Sequence, residues 1–159
     1  MAKDICVACD DGIVNVRVGA IIQRDGKILM VGNSRADYLY SVGGRIKFGE
    51  TAEEAVMREV LEETGVQMEI DRLGFIHENH FLGDSPTNLG KLIYEISFYF
   101  YMSVPDGFEP VCKSRTEDDK QEFLRWVDPN EDVKLFPTFY KTELQAPADT
   151  VKHIVTDGR

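Results

Sequence analysis

The chain has 159 residues, a formal net charge of −10, and 43% hydrophobic and 10% aromatic residues. This length and composition favour one domain over residues 1–159 with a sizeable hydrophobic core. The acidic balance argues against a general affinity for nucleic acids or anionic membranes, which require basic surfaces. It does not exclude a phosphorylated small molecule, because a bound divalent cation would reverse the local charge.

The cysteines and the N-terminal residues indicate a cytoplasmic protein. Cys6, Cys9 and Cys112 are too few for a disulfide framework, and no second pair of ligands completes a zinc site with the first two. The first residues lead into no apolar signal segment. The longest apolar stretch, Ile96 to Val104, is about half as long as a membrane span. We therefore expect reduced thiols and no membrane partner.

Strands are predicted along most of the chain, and Asp25-Gly26 between the first two is a strong hairpin signal. The predicted strands cover residues 14–23, 27–31, 38–46, 67–81, 91–104 and 122–127, with a short last strand within 149–159. A helix is predicted over about residues 52–64, between the capping box that starts at Thr51 and Gly65. A second helix is predicted from Pro137 to Gln145. This pattern predicts an α/β fold with a mixed sheet covered by helices.

The first helix carries a cluster of acids. Glu59, Glu62 and Glu63 fall within an arc of about 100°, whereas Arg58 is predicted to point away from it. Like charges at these spacings destabilise a helix, and a bound cation would relieve them. The alternative interpretation is a solvated acidic face. Gly43, Gly44 and Gly49 in the preceding loop let a main-chain carbonyl approach the carboxylates, and this oxygen ligand set suits Mg²⁺ or Mn²⁺.

The segment 44–66 resembles the complete signature of the Nudix hydrolases. All nine specified positions are met, by Gly44, Glu50, Arg58, Glu59, Val60, Glu62, Glu63, Gly65 and Val66. The family often has proline before the paired glycines, where this chain has Val42. The resemblance implies an α/β/α sandwich with a mixed β-sheet and hydrolysis of a pyrophosphate bond in a nucleoside diphosphate linked to another group.

The resemblance also implies roles for individual residues. The metal shell would consist of the Gly43 carbonyl, Glu59, Glu62 and Glu63, with Glu59 or a loop acid as the catalytic base. Glu50 and Arg58 would pair to hold the loop against the helix, and Gly44 and Gly65 would support the same segment. The ion would be Mg²⁺ or Mn²⁺.

One further acid is expected outside the signature. Glu122 is the strongest candidate, because it begins a predicted strand where the backbone can fix its position. Glu117, Asp118 and Asp119 precede it, and for each of them a solvated loop is the favoured interpretation. Glu95 is the rival, as a single acid in an apolar strand, and the alternative interpretation is an edge-exposed position.

The candidate substrate contacts each have an alternative interpretation. Arg35 is a candidate phosphate ligand or a plain surface arginine. Tyr38 and Tyr40 are candidates for stacking on a base, although core packing is favoured. Glu95 completes the candidate substrate-binding set.

The sequence predicts a metal-dependent hydrolase that cleaves a pyrophosphate bond in a nucleoside diphosphate or triphosphate derivative by attack of water on phosphorus. The alternative is a catalytically silent nucleotide-binding module of the same fold. The predicted partner is a small nucleotide, with no nucleic acid. The sequence is compatible with a homodimer and identifies neither the substrate nor the oligomeric state.

Overall fold

The computed structural model describes residues 1–112, 115–116 and 119–159. Strands dominate, as the sequence predicts. They are β1 (Cys6–Cys9), β2 (Gly12–Ile21), β3 (Gln23–Arg24), β4 (Lys27–Asn33), β5 (Leu39–Arg45), β6 (Glu69–Leu82), β7 (Leu92–Ser103), β8 (Glu122–Val127), β9 (Leu135–Phe136) and β10 (Lys152–Asp157). The chain also forms the helices α1 (Ala52–Thr64) and α2 (Tyr140–Glu143).

The strands form a mixed sheet whose order in the described part of the chain is β10-β6-β7-β2-β5-β4-β3. Beside this path, β1 pairs with β2, β8 with β4 and β9 with β5. The predicted hairpin is present, since Arg24 pairs with Lys27. Its turn residues Asp25 and Gly26 have φ angles of 53° and 76°. Two positive φ angles match the turn that joins twisted antiparallel strands.

Helix α1 begins and ends where its capping signals predict. The Thr51 hydroxyl accepts a hydrogen bond from the Glu54 N–H at 3.2 Å, and the Glu54 carboxylate accepts one from the Thr51 N–H at 2.9 Å. Gly65 has a φ of 75° and donates its N–H to the carbonyl of Leu61. Glycine adopts this conformation at no steric cost. The two caps fix the position along the helix of every α1 side chain, including the acidic ones.

The helices cover opposite faces of the sheet. Val56 and Val60 of α1 pack in one core with Ala20 of β2. Tyr140 of α2 packs in a second core with Ile21 of β2. Successive strand residues point to opposite faces, so these two neighbours on β2 mark the two cores. The architecture is the expected α/β/α sandwich.

Three elements differ from the sequence prediction, and one of them is the two-residue strand β9, which pairs with β5 and was not predicted. The helix expected over residues 137–145 is the single turn α2, and its N-cap Phe139 offers no side-chain cap to extend it. Strand β1 was not predicted; it forms because Cys6 to Cys9 pair with the start of β2, a contact that its short sequence does not signal. Within the described residues, no helix is long and apolar enough to cross a membrane.

A buried histidine lies where β10 pairs with β6, and it gives the protein a pH-dependent stability. His77 of β6 is 4% exposed, and its Nε2 lies 2.8 Å from the Thr156 hydroxyl of β10. Burial lowers the pKa of His77 to about 4. The unfolded chain therefore binds more protons than the folded one between that value and the ordinary histidine pKa, so stability rises with pH across this window.

We expect acidification from about pH 7 to about pH 5 to lower the free energy of unfolding by about 2 kcal/mol through His77 alone. Urea unfolding at both pH values, in the wild type and in His77→Gln, measures this contribution as the difference between the two pH dependences. An identical pH dependence in the variant would show that His77 does not titrate as expected.

Candidate active site

A cleft of about 610 Å³ opens where β5, α1 and the start of β8 meet. It gathers most of the side chains that the sequence singled out. Those lining it are Arg35, Tyr38, Tyr40, Gly43, Gly44, Glu59, Glu62, Glu63, Glu95 and Glu122. Glu50, Arg58 and Gly65 lie outside the lining, in the loop and helix behind it.

The paired glycines let the end of β5 lie directly against α1. A Cβ atom on Gly44 would stand 2.4 Å from a carboxylate oxygen of Glu59. A Cβ atom on Gly43, whose φ is 152°, would stand 2.1 Å from the carbonyl oxygen of Val18. Real Cβ atoms do not approach this closely, so the Glu59 carboxylate occupies space that only glycine leaves open.

Glu63 is the most deeply buried acid of the cleft. It is 7% exposed, and its Oε2 atom has no hydrogen-bond partner. Burial raises the pKa of Glu63 well above its ordinary value, and the charges of Glu59 and Glu122 raise it further. The hydrogen bond from the Gly43 amide and the charge of Arg17 oppose this rise. A buried carboxylate oxygen without a partner costs free energy that a cation would offset.

Glu59 and Glu62 complete the acidic face. Burial also raises the pKa of Glu59, and Arg58 opposes this shift. The side chain of Glu62 is 53% exposed at the mouth of the cleft. In the described part of the chain, no three His, Cys, Asp or Glu side chains are already gathered closely enough to hold a metal ion. The carboxylate oxygens nevertheless suit a hard divalent cation that shares its shell with water and phosphate.

Arg58 links the loop to the helix. Its Nε donates to Glu50 Oε1 at 2.5 Å and its Nη2 to Glu50 Oε2 at 3.0 Å, and this pairing lowers the pKa of Glu50. Its Nη2 also donates to the carbonyl of Arg45 at 3.1 Å. The bidentate pair holds the residues before α1 against the helix.

The prediction that Arg58 points away from the acidic arc is wrong. Its Nη1 donates to Glu59 Oε1 at 2.7 Å and to Glu62 Oε2 at 3.3 Å. The helical angle describes only the direction of the Cα–Cβ bond. The long arginine side chain brings its guanidinium to both neighbouring acids, and the acidic face is therefore partly neutralised.

We expect Arg58→Ala to lower the free energy of unfolding by about 2 kcal/mol, because it leaves Glu50 and Glu59 half-buried without their cation. Chemical unfolding measures the loss. Arg125→Ala is the matched control, since Arg125 pairs with Glu131 at the surface and its loss costs at most about 1 kcal/mol. Normal stability in Arg58→Ala with only a raised KM would contradict the expected supporting role.

Glu122 enters the cleft from β8 and is held by two side chains. It is buried, and it lies opposite Asn33 in the β4–β8 pair. The Tyr40 hydroxyl donates to a Glu122 carboxylate oxygen. Asn33 Nδ2 donates to the Tyr40 hydroxyl at 3.0 Å. Burial and the Glu122 carboxylate both raise the pKa of Tyr40. The Tyr40 hydroxyl therefore stays protonated and remains a hydrogen-bond donor.

The other candidate acids are the residues before Glu122 and the rival Glu95. Glu117 and Asp118 lie outside the described residues, and Asp119 forms an exposed pair with Arg115 at 2.6 Å. Glu95 is not edge-exposed, because β7 lies between β6 and β2. Its side chain is 16% exposed and lies 3.9 Å from Arg17 Nε.

The tyrosines and Arg35 also line the cleft. Tyr40 packs partly against the core beside α1, as the sequence analysis favours. Its hydroxyl donates a hydrogen bond to Glu122. Tyr38 is half-buried and its ring contacts Phe136 edge-on at 5.2 Å between centroids. Arg35 is exposed at the rim, where its N–H donates to Asn33 Oδ1 at 2.9 Å.

Sequence reasoning missed Asn15 and Arg17, which line the cleft from β2. A signal was present: the two residues alternate with Val14, Val16 and Val18 in the sequence. In a strand, this alternation sets one polar face against one apolar face. The polar face of β2 is the one that faces the cleft.

The fold and the site thus define an α/β/α protein with a cleft lined by several carboxylates. A family model described as the NUDIX domain matches residues 14–144. The chain therefore belongs to the Nudix family, as the signature at residues 44–66 predicts.

Individual relatives cover different parts of the chain. A MutT-like protein from Streptomyces ambofaciens is 34% identical over 61 residues, which are 38% of this chain and only 40% of that relative. A MutT Nudix hydrolase structure from Burkholderia pseudomallei is 28% identical with a TM-score of 0.52, covering 74% of this chain and 85% of its own. An ADP-ribose pyrophosphatase structure from Streptococcus suis is 16% identical with a TM-score of 0.58, over 87% and 98% of the two chains. At this last identity the likeness shows the fold alone.

Proposed function

We propose that the protein is a divalent-metal-dependent pyrophosphohydrolase that cleaves a pyrophosphate bond in a nucleoside diphosphate or triphosphate derivative by attack of water on phosphorus. The observation that carries the proposal is the buried Glu63 carboxylate, whose Oε2 has no partner, in the same cleft as Glu59 and Glu62. Such oxygens are the hard ligands that Mg²⁺ or Mn²⁺ takes in proteins while sharing substrate phosphates. Membership of the Nudix family supports the same reaction class.

In this proposal Glu59, Glu62, Glu63 and the Gly43 carbonyl would hold the ion, which would supply charge neutralisation and a more acidic water when bound. Arg17 lies beside these acids in the cleft and Arg35 lies at its rim. In this proposal both guanidinium groups would donate hydrogen bonds to phosphate oxygens. Displacement at phosphorus needs mainly positioning and charge stabilisation, so no nucleophilic side chain is required.

Glu122 is proposed to accept the proton of the attacking water. Tyr40 and Asn33 orient its carboxylate, and a base must be held within hydrogen-bond reach of the proton that it takes. Tyr40 and Asn33 are therefore positioning residues, since they act through Glu122.

A panel of nucleotides read by phosphorus NMR tests the proposal. It contains nucleoside triphosphates, ADP-ribose, dinucleoside polyphosphates and nucleotide sugars, each with Mg²⁺, with Mn²⁺ and with EDTA. Hydrolysis of at least one compound that stops in EDTA is expected. Nucleotide binding without turnover under either ion would overturn the proposal and support the silent binding module.

A further inference from the structure

Helix α1 covers only part of its face of the sheet. Val56 and Val60 of the helix pack in one core with Val18 of β2 and Phe100 of β7. Beyond the helix, the same face carries apolar residues that belong to neither core, namely Val14, Ile76, Tyr94, Ile96 and Val155. Because α2 packs on the opposite face, this part of the sheet has no helix over it among the described residues.

The strand registers define this surface row by row. Paired residues of neighbouring strands point to the same face of a sheet, and so do residues two apart on one strand. In the order β10-β6-β7-β2-β1, one row consists of Val155, Glu78, Ile96 and Val16, and the next of Asp157, His80, Tyr94, Val14 and Val7. We call these two rows, with Ile76 and Leu82 on either side of them in β6, the open face.

The open face is largely apolar and accessible to solvent. Val155 and Val7 at its two edges are 61% and 44% exposed. The apolar residues between them are partly exposed, namely Val14, Val16, Ile76, Tyr94 and Ile96. With strands about 4.8 Å apart and about 3.3 Å per residue, the face measures about 24 by 20 Å, or about 500 Å². An apolar patch of this size on a single chain typically marks an interaction surface.

The carboxylates of the open face are paired within the chain. Glu78 accepts a hydrogen bond from the Tyr94 hydroxyl at 2.6 Å, and its other oxygen lies 2.5 Å from His153 Nε2. Asp157 pairs with Arg159 at 2.6 Å. The whole chain has a net charge of −10, so two copies repel each other over most of their surface. The open face carries little of this charge and is therefore where two copies can approach.

The shape and size of the open face fit a second copy of the chain. A flat sheet face packs well against another sheet face, with the two sheets about 10 Å apart. Two identical faces form a closed interface around a two-fold axis. Together they supply about 1,000 Å², which is the lower limit for a specific interface and is typical of a weak complex. Asn15 and Arg17 point to the opposite side of β2, so a dimer formed in this way leaves the cleft accessible.

We propose that the open face joins two copies of the chain in a weak, two-fold symmetric homodimer. The two sheets lie face to face, and the apolar side chains of β2, β6, β7 and β10 from each copy form the centre of the interface. The inference does not depend on the proposed function, because the cleft lies on the other side of these strands.

Sedimentation velocity and methyl NMR test the dimer and its location. Because dimerisation follows mass action, the wild type is expected to change from monomer to dimer over about 5 to 500 µM protein. The methyl signals of Val14, Ile76 and Ile96 are expected to move over the same range, whereas those of Val56 and Val60 stay constant.

Val155→Glu is expected to weaken the dimer about tenfold or more, because it places a carboxylate in an apolar interface. Val111→Glu is the matched control. Val111 is 55% exposed and its N–H donates to the Thr64 carbonyl at the end of α1, away from the open face. It adds the same charge, and its dimer is expected to match that of the wild type.

A wild type that stays monomeric over the whole concentration range would overturn the inference, and would leave the face to another partner or to solvent. Equal dimerisation in Val155→Glu and Val111→Glu would overturn it as well, as would concentration-dependent signals confined to residues outside the open face. Circular dichroism checks that the variants fold. If Val155→Glu does not fold, Val7→Glu replaces it, since Val7 lies at the other edge of the same face.

Discussion

Replacing Glu63 by glutamine is expected to lower kcat at least a hundredfold while leaving the metal-free fold intact or more stable. The amide keeps the size of the side chain but removes the charge that attracts the cation. A bound metal supplies several kcal/mol of transition-state stabilisation, and each 1.4 kcal/mol corresponds to about tenfold in rate. Because Glu63 is buried and repelled by Glu59 and Glu122, its neutralisation also removes a charge repulsion among these acids when no metal is added.

Glu63→Gln is thus expected to lower kcat without lowering the stability of the metal-free protein, and both quantities are measured. Rate measurements at saturating substrate give kcat, and thermal unfolding with and without Mg²⁺ gives the stabilisation that a bound ion supplies. Glu62→Gln is expected to act in the same direction. Glu53→Gln is the control, since Glu53 lies on the same helix and is exposed. Full activity in Glu62→Gln and Glu63→Gln, with metal still required, would contradict the metal assignment.

The helix and its loop could be predicted because their signals are local. Thr51 and Gly65 cap α1 through hydrogen bonds to residues three or four positions away, so the sequence marks both ends. The spacing of Glu59, Glu62 and Glu63 then follows from the helix period. These local signals therefore predict most of the acidic face of α1.

The rest of the site depends on pairings between distant segments. Asn15 faces Glu95 only because β2 and β7 are parallel neighbours, and Tyr40 reaches Glu122 only because β8 joins the sheet beside β4. Neither pairing leaves a signal in the short segments concerned. The reach of Arg58 to Glu59 depends on side-chain conformation, which a helical angle does not contain.

Glu122→Gln is expected to lower kcat at least tenfold, about 1.4 kcal/mol in barrier, with no loss of stability. In the proposed mechanism three helix carboxylates would hold an ion, but the attacking water would also need a group that accepts its proton. Glutamine cannot accept that proton at neutral pH. It still accepts the hydrogen bond that the Tyr40 hydroxyl donates, so the local structure is retained.

Tyr40→Phe separates positioning from proton transfer. It keeps the carboxylate of Glu122 and removes the hydroxyl that orients it, so we expect a smaller fall in kcat than in Glu122→Gln and an unchanged KM. Glu131→Gln is the control, since Glu131 lies in the turn after β8 and pairs with Arg125. An unchanged kcat in Glu122→Gln, beside a strongly reduced kcat in Glu95→Gln, would transfer the role to Glu95. The proton acceptor would then lie on β7, beside Arg17.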